Sequence, residues 1–197
     1  CFRRELTGVT LQGALLASKD RIYVPQGRAA PLAFNRRDGA PQGAIGDAGG
    51  VFCILSEDET LFAGPPNQRA DQDQIRVASL RSKTAMATFG GTDRILVAGD
   101  DAWMSVSGKL KMLDRKSYVD AEQVIDQARQ EGKKRKGEPT AEMQAAVATA
   151  KEKQQASWRW AVDSPTPLDM IKAGDAIVVG LPGQVRAYAS GTGDELW

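Results

Sequence analysis

An all-β chain of repeated short strands, interrupted by one α-helical hairpin, is the fold the sequence predicts. Three observations carry that prediction. A strand motif recurs at intervals near forty residues. Each copy is followed by a second alternating strand that ends in turn residues. One stretch, residues 119–157, departs from both patterns in composition.

The recurring motif is an acidic residue, one further residue, and an apolar β-rich pair. It reads Asp20-Arg21-Ile22-Tyr23-Val24, then Glu59-Thr60-Leu61-Phe62-Ala63-Gly64, then Asp93-Arg94-Ile95-Leu96-Val97-Ala98-Gly99, and last Asp175-Ala176-Ile177-Val178-Val179-Gly180. The acidic positions lie 39, 34 and 82 residues apart. The second halves begin at Leu32-Ala33-Phe34, Ile75-Arg76-Val77, Leu110-Lys111-Met112 and Val185-Arg186-Ala187. Their apolar and polar positions alternate, the pattern of a half-buried strand. The Gly and Asp residues that follow tolerate the positive φ angles of tight turns. Leu15-Leu16-Ala17, Val51–Leu55 and Met86-Ala87-Thr88-Phe89 are placed as leading strands of successive units.

The long final gap contains the exception. Residues 119–157 are rich in Ala, Gln, Glu and Lys, all strong helix formers, and hold no aromatic residue and only two glycines, Gly132 and Gly137. Val124, Ile125 and Ala128 share one helix face, and Met143, Ala146, Val147 and Ala150 share another. Gly137 is placed to end the first helix and Thr140 to cap the second. Taking this hairpin out leaves a gap of 43 residues, close to the other two.

Short antiparallel strands at this period point to β-propeller blades. A four-stranded twisted sheet with two apolar faces cannot cover both by itself, so blades stack face to face. The expected organisation is three blade units over 1–118, the hairpin over 119–157 and a further blade over 158–197. Propellers have about four to eight blades; the repeat that residues 185–197 resemble implies more than four, so the chain is read as part of a larger propeller, with assembly from several chains as the alternative.

The run Val185-Arg186-Ala187-Tyr188-Ala189-Ser190-Gly191-Thr192-Gly193-Asp194-Glu195-Leu196-Trp197 resembles the blade signature of the quinoprotein propellers, the PQQ-like repeats. Thr192, Gly193, Leu196 and Trp197 match its structural positions, and Asp175–Gly180 resembles the strand before it. The other units match more loosely: Asn35–Gly39 keeps the turn and Asp114–Ser117 keeps part of it. The resemblance implies a periplasmic or otherwise extracytoplasmic protein of one of two kinds. One is a non-catalytic scaffold or binding module that offers rim loops and the hairpin to a protein partner or to remaining blades. The alternative is part of a PQQ-dependent alcohol or sugar dehydrogenase. Those enzymes carry adjacent cysteines, a stacked Trp and a calcium site. No adjacent cysteines occur here and no quinone or calcium site is legible, so no cofactor is expected outside that alternative.

Composition removes other classes. The chain has no histidine, which excludes a Ser-His-Asp triad, a Cys-His dyad and any His-ligated metal within these 197 residues. A net charge of +1 gives no general pull toward nucleic acid. No apolar run is long enough to span a bilayer, and no signal peptide is legible. Cys1 and Cys53 permit one disulfide, but Cys53 within Val51–Leu55 reads first as a buried strand residue.

The remaining features are read mainly as structural. Trp103, after Asp100-Asp101, invites a cofactor reading, but an edge-packed indole beside a solvated acidic turn is preferred. Gly46–Gly50 lacks the Lys of a phosphate loop and reads as a turn. Arg28 and Arg36-Arg37 read as surface charges. Lys133, Lys134, Arg135 and Lys136 form the dense basic cluster and the candidate partner-docking residues. Their place at a helix end, where cations complement the helix dipole, is the competing explanation.

Overall fold

Among the described residues every strand pairs with a sequence neighbour, which gives four antiparallel meanders. A computed structural model describes residues 11–46, 48–64, 74–92, 94–135 and 140–197. Sheet 1 contains β1 (Leu16–Ala17), β2 (Arg21–Gln26), β3 (Ala29–Asn35) and β4 (Pro41–Ala44). Sheet 2 contains β5 (Phe52–Leu55), β6 (Thr60–Gly64), β7 (Gln74–Ser79) and β8 (Thr84–Gly90). Sheet 3 contains β9 (Ile95–Ala98), β10 (Asp101–Val106), β11 (Lys109–Asp114) and β12 (Trp158–Asp163). The helices α1 (Arg115–Arg135) and α2 (Ala141–Ala156) stand between its last two strands. Sheet 4 contains β13 (Asp169–Ala173), β14 (Ala176–Leu181) and β15 (Gln184–Ala189).

The repeat has a precise backbone signature. The amide just after each third strand donates to the carbonyl just before each second strand. These bonds are Arg36 to Asp20 at 2.9 Å, Leu80 to Glu59 at 3.0 Å, Arg115 to Asp100 at 2.8 Å and Ser190 to Asp175 at 2.7 Å. The acidic position of the third unit is therefore Asp100, not Asp93 as the motif suggested. Asp93 itself lies outside the described residues. The Ile95–Ala98 strand after it is the outer strand of sheet 3, hydrogen-bonded to β10. Met86–Phe89 is likewise not a leading strand: it belongs to β8, which pairs with β7 and closes sheet 2. Alternation identifies a strand but not which neighbour it joins, and the two β-rich stretches were each shifted by one place for that reason.

The sheets fall into two compact units, residues 1–90 and 91–197. In the first, sheets 1 and 2 bury Tyr23, Ala33, Ile45, Leu61, Ala63, Ala78 and Leu80 in a common core. Cys53 is half-buried at the edge of that core as a free thiol, and burial pushes its pKa up to about 11. Its possible disulfide partner, Cys1, is outside the described residues. The glycines at 49 and 50 serve close backbone approach. A Cβ on Gly49 would sit 2.3 Å from the Arg28 carbonyl oxygen, and one on Gly50 2.5 Å from the Gly64 nitrogen.

In the second unit, sheets 3 and 4 share a core of Trp103, Leu110, Met112, Met170, Ile177, Val179 and Tyr188. Two indoles tie this core to the turn after β15. The Trp103 and Trp160 Nε1–H groups both donate to the Ser190 carbonyl, at 2.9 and 3.0 Å. Gly193 lies against the Trp160 ring, with φ at +79°, and a Cβ there would come within 2.7 Å of it. Residues 195–197 return along β15, bonded through Leu196 N–H to Ala187 O and Ala187 N–H to Trp197 O, and so take the place of a fourth strand.

Candidate docking site

The hairpin grows from a neck built by the sheet. At the end of β11, the Asp114 amide donates to the Ser157 carbonyl at 2.9 Å, closing the chain across the base of both helices. The next residue, Arg115, is buried, and its Nε donates to the Gly99 carbonyl at 2.7 Å. Asp114 then starts α1. One carboxylate oxygen accepts from the Ser117 amide and the other from the Ser117 hydroxyl, each at 2.9 Å, the arrangement of a helix N-cap. The same carboxylate holds Arg159 on β12 at 3.0 Å. Burial pushes the Asp114 pKa upward, but the Ser117 hydrogen bonds and the Arg159 guanidinium outweigh it, so the carboxyl titrates below its ordinary value. Tyr118 meets Trp158 edge to face at 6.0 Å, and Lys111 lies 5.2 Å over the Trp158 ring. Burial and the Glu122 charge both push the Tyr118 phenol upward.

Beyond the neck, the helices pair through small residues. Ala121, Ile125 and Ala150 are buried together, with Val147 half-buried beside them. Glu122 accepts from the Gln154 amide across the seam and faces Arg129 at 3.6 Å. Arg129 also meets Asp126 at 3.0 Å. Thr140 caps α2 as its sequence position predicts, its hydroxyl accepting from the Met143 amide at 3.3 Å. Gly137, expected to end α1, lies outside the described residues. Of the apolar face read from sequence, Ile125 turns inward, whereas Val124 stays 40% exposed.

Two grooves run along the pair. The one at the base, about 740 Å³, is lined by Val124, Ala146 and Thr149 with charges of both signs from Asp114, Asp120 and Lys153. The one toward the tip, about 700 Å³, has a floor from Ala128, Gly132, Met143 and Val147, with Lys133 and Lys151 at its margin. The sequence-picked basic cluster thus divides. Lys133 and Lys134 are exposed on the last turns of α1, and Lys133 lines the tip groove. Arg135 is the final residue of α1, and Lys136 lies outside the described residues.

The other candidate residues lie in turns and beside β15. The Thr192 hydroxyl donates to Asp194 at 2.6 Å and Gly193 carries the turn against Trp160. Leu196 and Trp197 are 53% and 65% exposed. Arg36 and Arg37 occupy the turn after β3, where the Arg37 amide donates to Asn35 Oδ1 at 2.8 Å. Arg28 sits in the β2–β3 turn. Trp103 and Asp100-Asp101 are not arranged as a stacked indole beside a calcium site. Trp103 is 2% exposed, committed to the core and to Ser190, so it presents no face for stacking. Asp100 precedes β10 and Asp101 starts it, opposite Asp114 in the ladder, and among the described residues no three Cys, Asp or Glu side chains converge as metal ligands. Sequence reading passed over Trp160 and Lys151. Trp160 stands opposite Met112 in sheet 3, and in sheet 4 the Ala187 amide donates to the Trp197 carbonyl, a correspondence visible only once the strands pair.

The architecture is shared with solved structures. BamB from Moraxella catarrhalis aligns with 93% of the chain at a TM-score of 0.53 and 15% identity. The computationally designed Ika8 protein aligns with 95% at 0.60 and 11%, and the RRP9 WD40 repeats with 93% at 0.52 and 11%. The chain spans 46%, 48% and 49% of those structures, respectively. These neighbours are β-propeller-like, and at such identities the likeness concerns the fold. No protein-family model matches the chain, and no curated protein matches it. Among the described residues no helix is long and apolar enough to cross a membrane.

Proposed function

We propose that this chain is a non-catalytic propeller-type scaffold of the PQQ-like repeat class, which holds its α1–α2 hairpin out as a docking arm for a protein partner. The hairpin's construction carries the reading. Its neck is fixed by Asp114, Arg115, Ser157 and Arg159, while Ala145, Ala146 and Ala148 on α2 remain exposed. A rigid base under an exposed small-residue surface suits recognition, because little is left to order on binding. The β-propeller-like neighbours support the scaffold half of the proposal. An extracytoplasmic setting is part of it too. The support for that setting is the resemblance of residues 185–197 to the PQQ-like repeat.

Excising residues 116–156 and joining Arg115 to Ser157 through a short glycine turn, so that the Arg115 bonds to Asp100 and Gly99 are kept, tests the arm. The shortened chain should keep its sheet circular dichroism and lose capture of the partner that the full chain retains from its source extract. A folded variant that still captures every partner would refute the proposal. Adding PQQ and Ca²⁺ to the full chain should leave the quinone spectrum unchanged. A bound-quinone spectrum would instead favour the dehydrogenase class. Immunoblotting of periplasmic and cytoplasmic fractions checks the compartment.

A further inference from the structure

The two hairpin grooves differ in charge, and the difference specifies an occupant. The base groove mixes acids with bases, and its Asp114 and Arg159 already satisfy each other at 3.0 Å. Among the described residues the tip groove is lined by three cations, Arg129, Lys133 and Lys151, and by no carboxylate. Arg129 is answered by Asp126 and Glu122 on its own helix. Lys133 and Lys151 are exposed and leave the margin positive. Between them the floor is apolar and low, because Ala128 and Gly132 on α1 face Met143 and Val147 on α2. Small residues on one wall let a third backbone come close, and an unbranched Met adapts to what it meets.

We propose that the tip groove receives the apolar face of an acidic amphipathic helix from a partner protein, completing a three-helix bundle. The proposal rests on the docking-arm reading and deepens it. Two antiparallel helices offer a third one a groove at normal interhelical spacing. The span from Met143 to Lys151 gives about 12 Å of α2, enough for two turns of the incoming helix. Carboxylates flanking its apolar stripe would lie near Lys133 on one side and Lys151 on the other. Charge at such a rim sets the choice of partner and the encounter rate.

A display library of helical peptides tests this on the full chain. The library keeps an apolar stripe of Leu, Met and Ala and randomises the flanks among Glu, Lys and Gln. Selected peptides should be acid-flanked and should bind at least about tenfold more weakly to a K133E/K151E chain, the sum of two modest rim-charge terms. Backbone amide shifts on binding should centre on Ala128, Gly132, Val147 and Ala148. Unchanged circular dichroism and melting temperature confirm that the double variant is folded. Basic or neutral selected peptides, equal binding to the variant, shifts centred on Ala146 and Thr149 at the base, or no enriched peptide would each overturn the proposal. If hairpin excision abolishes partner capture while K133E/K151E preserves it, the arm stands and this groove does not.

Discussion

Sheets 3 and 4 leave their third strands through the same hydrogen bond and then part company. In sheet 4, the Ser190 amide bonds Asp175, the chain turns through Thr192 and Gly193, and it returns along β15 within a few residues. In sheet 3, the Arg115 amide makes the equivalent bond to Asp100, and two helices follow before β12 resumes the ladder. The short turn works for the core: its Ser190 carbonyl accepts two indoles and its glycine lies on one of them. The long excursion contributes its neck to the sheet and leaves the rest outside. A repeat whose strands are closed by local hydrogen bonds can therefore replace a turn by a helical arm and still pair the strand that follows, here with one register shift between Met112 and Leu113.

The largest break in that comparison comes from the indoles. Trp103→Ala removes a fully packed ring and one of the two bonds to Ser190, and should cost about 3–5 kcal/mol. Urea unfolding of residues in sheets 3 and 4, followed by the remaining tryptophan fluorescence, measures it. A loss below about 1 kcal/mol would show that the turn does not depend on this contact.

Gly193→Ala should come next, at about 2–3 kcal/mol. The new Cβ would carry a positive φ and overlap the Trp160 ring at 2.7 Å. The same change at Gly174, where nothing lies within 4 Å and φ is also positive, isolates the conformational part. Equal losses at both positions would mean that contact with Trp160 adds nothing.

Asp114 tests the neck. Asp114→Asn should lower stability at neutral pH by about 1 kcal/mol, since Asn still caps the helix but Arg159 loses its counter-charge and the N-terminus of α1 its anion. Its pKa is lowered in the folded protein, so its contribution is present above the unfolded carboxylate pKa, near 4, and fades as pH falls through the lower folded value. The gap between the natural chain and Asp114→Asn, followed by thermal melts, should therefore close on acidification. A gap constant down to pH 2 would assign the effect to packing.

How much of this was readable beforehand depends on whether the cause was local. The helical hairpin was legible because helix formers, two apolar faces and the Thr140 cap all act within a few residues. The third strands of all four sheets were legible through alternation followed by turn residues. Which strand led the third unit was not, because pairing joins residues distant in sequence: Asp93 imitated a repeat position that the backbone assigns to Asp100. The start of α1 was missed by four residues although its signal was present. Asp114 followed by Ser117 is a capping pair, but the same residues also resembled the turn of the other units. The tip groove needed the fold, since Lys133 and Lys151 are far apart in sequence and meet only when the helices fold back on each other.

The smallest effect separates the arm from its base. Thr140→Ala removes a cap whose hydrogen bond is 3.3 Å long, so the expected cost is only about 0.5–1 kcal/mol. Because the neck is fixed independently at Asp114, Ser157 and Arg159, that cost should stay near the tip. Amide hydrogen exchange should quicken over the first turn of α2 and remain unchanged around Ser157 and Trp158. Exchange that quickens equally at both ends would mean that arm and neck open as one unit. Acid-flanked peptides would then find a groove whose walls depend on the sheet, and the exposed surface would not be the preformed site that a rigid neck implies.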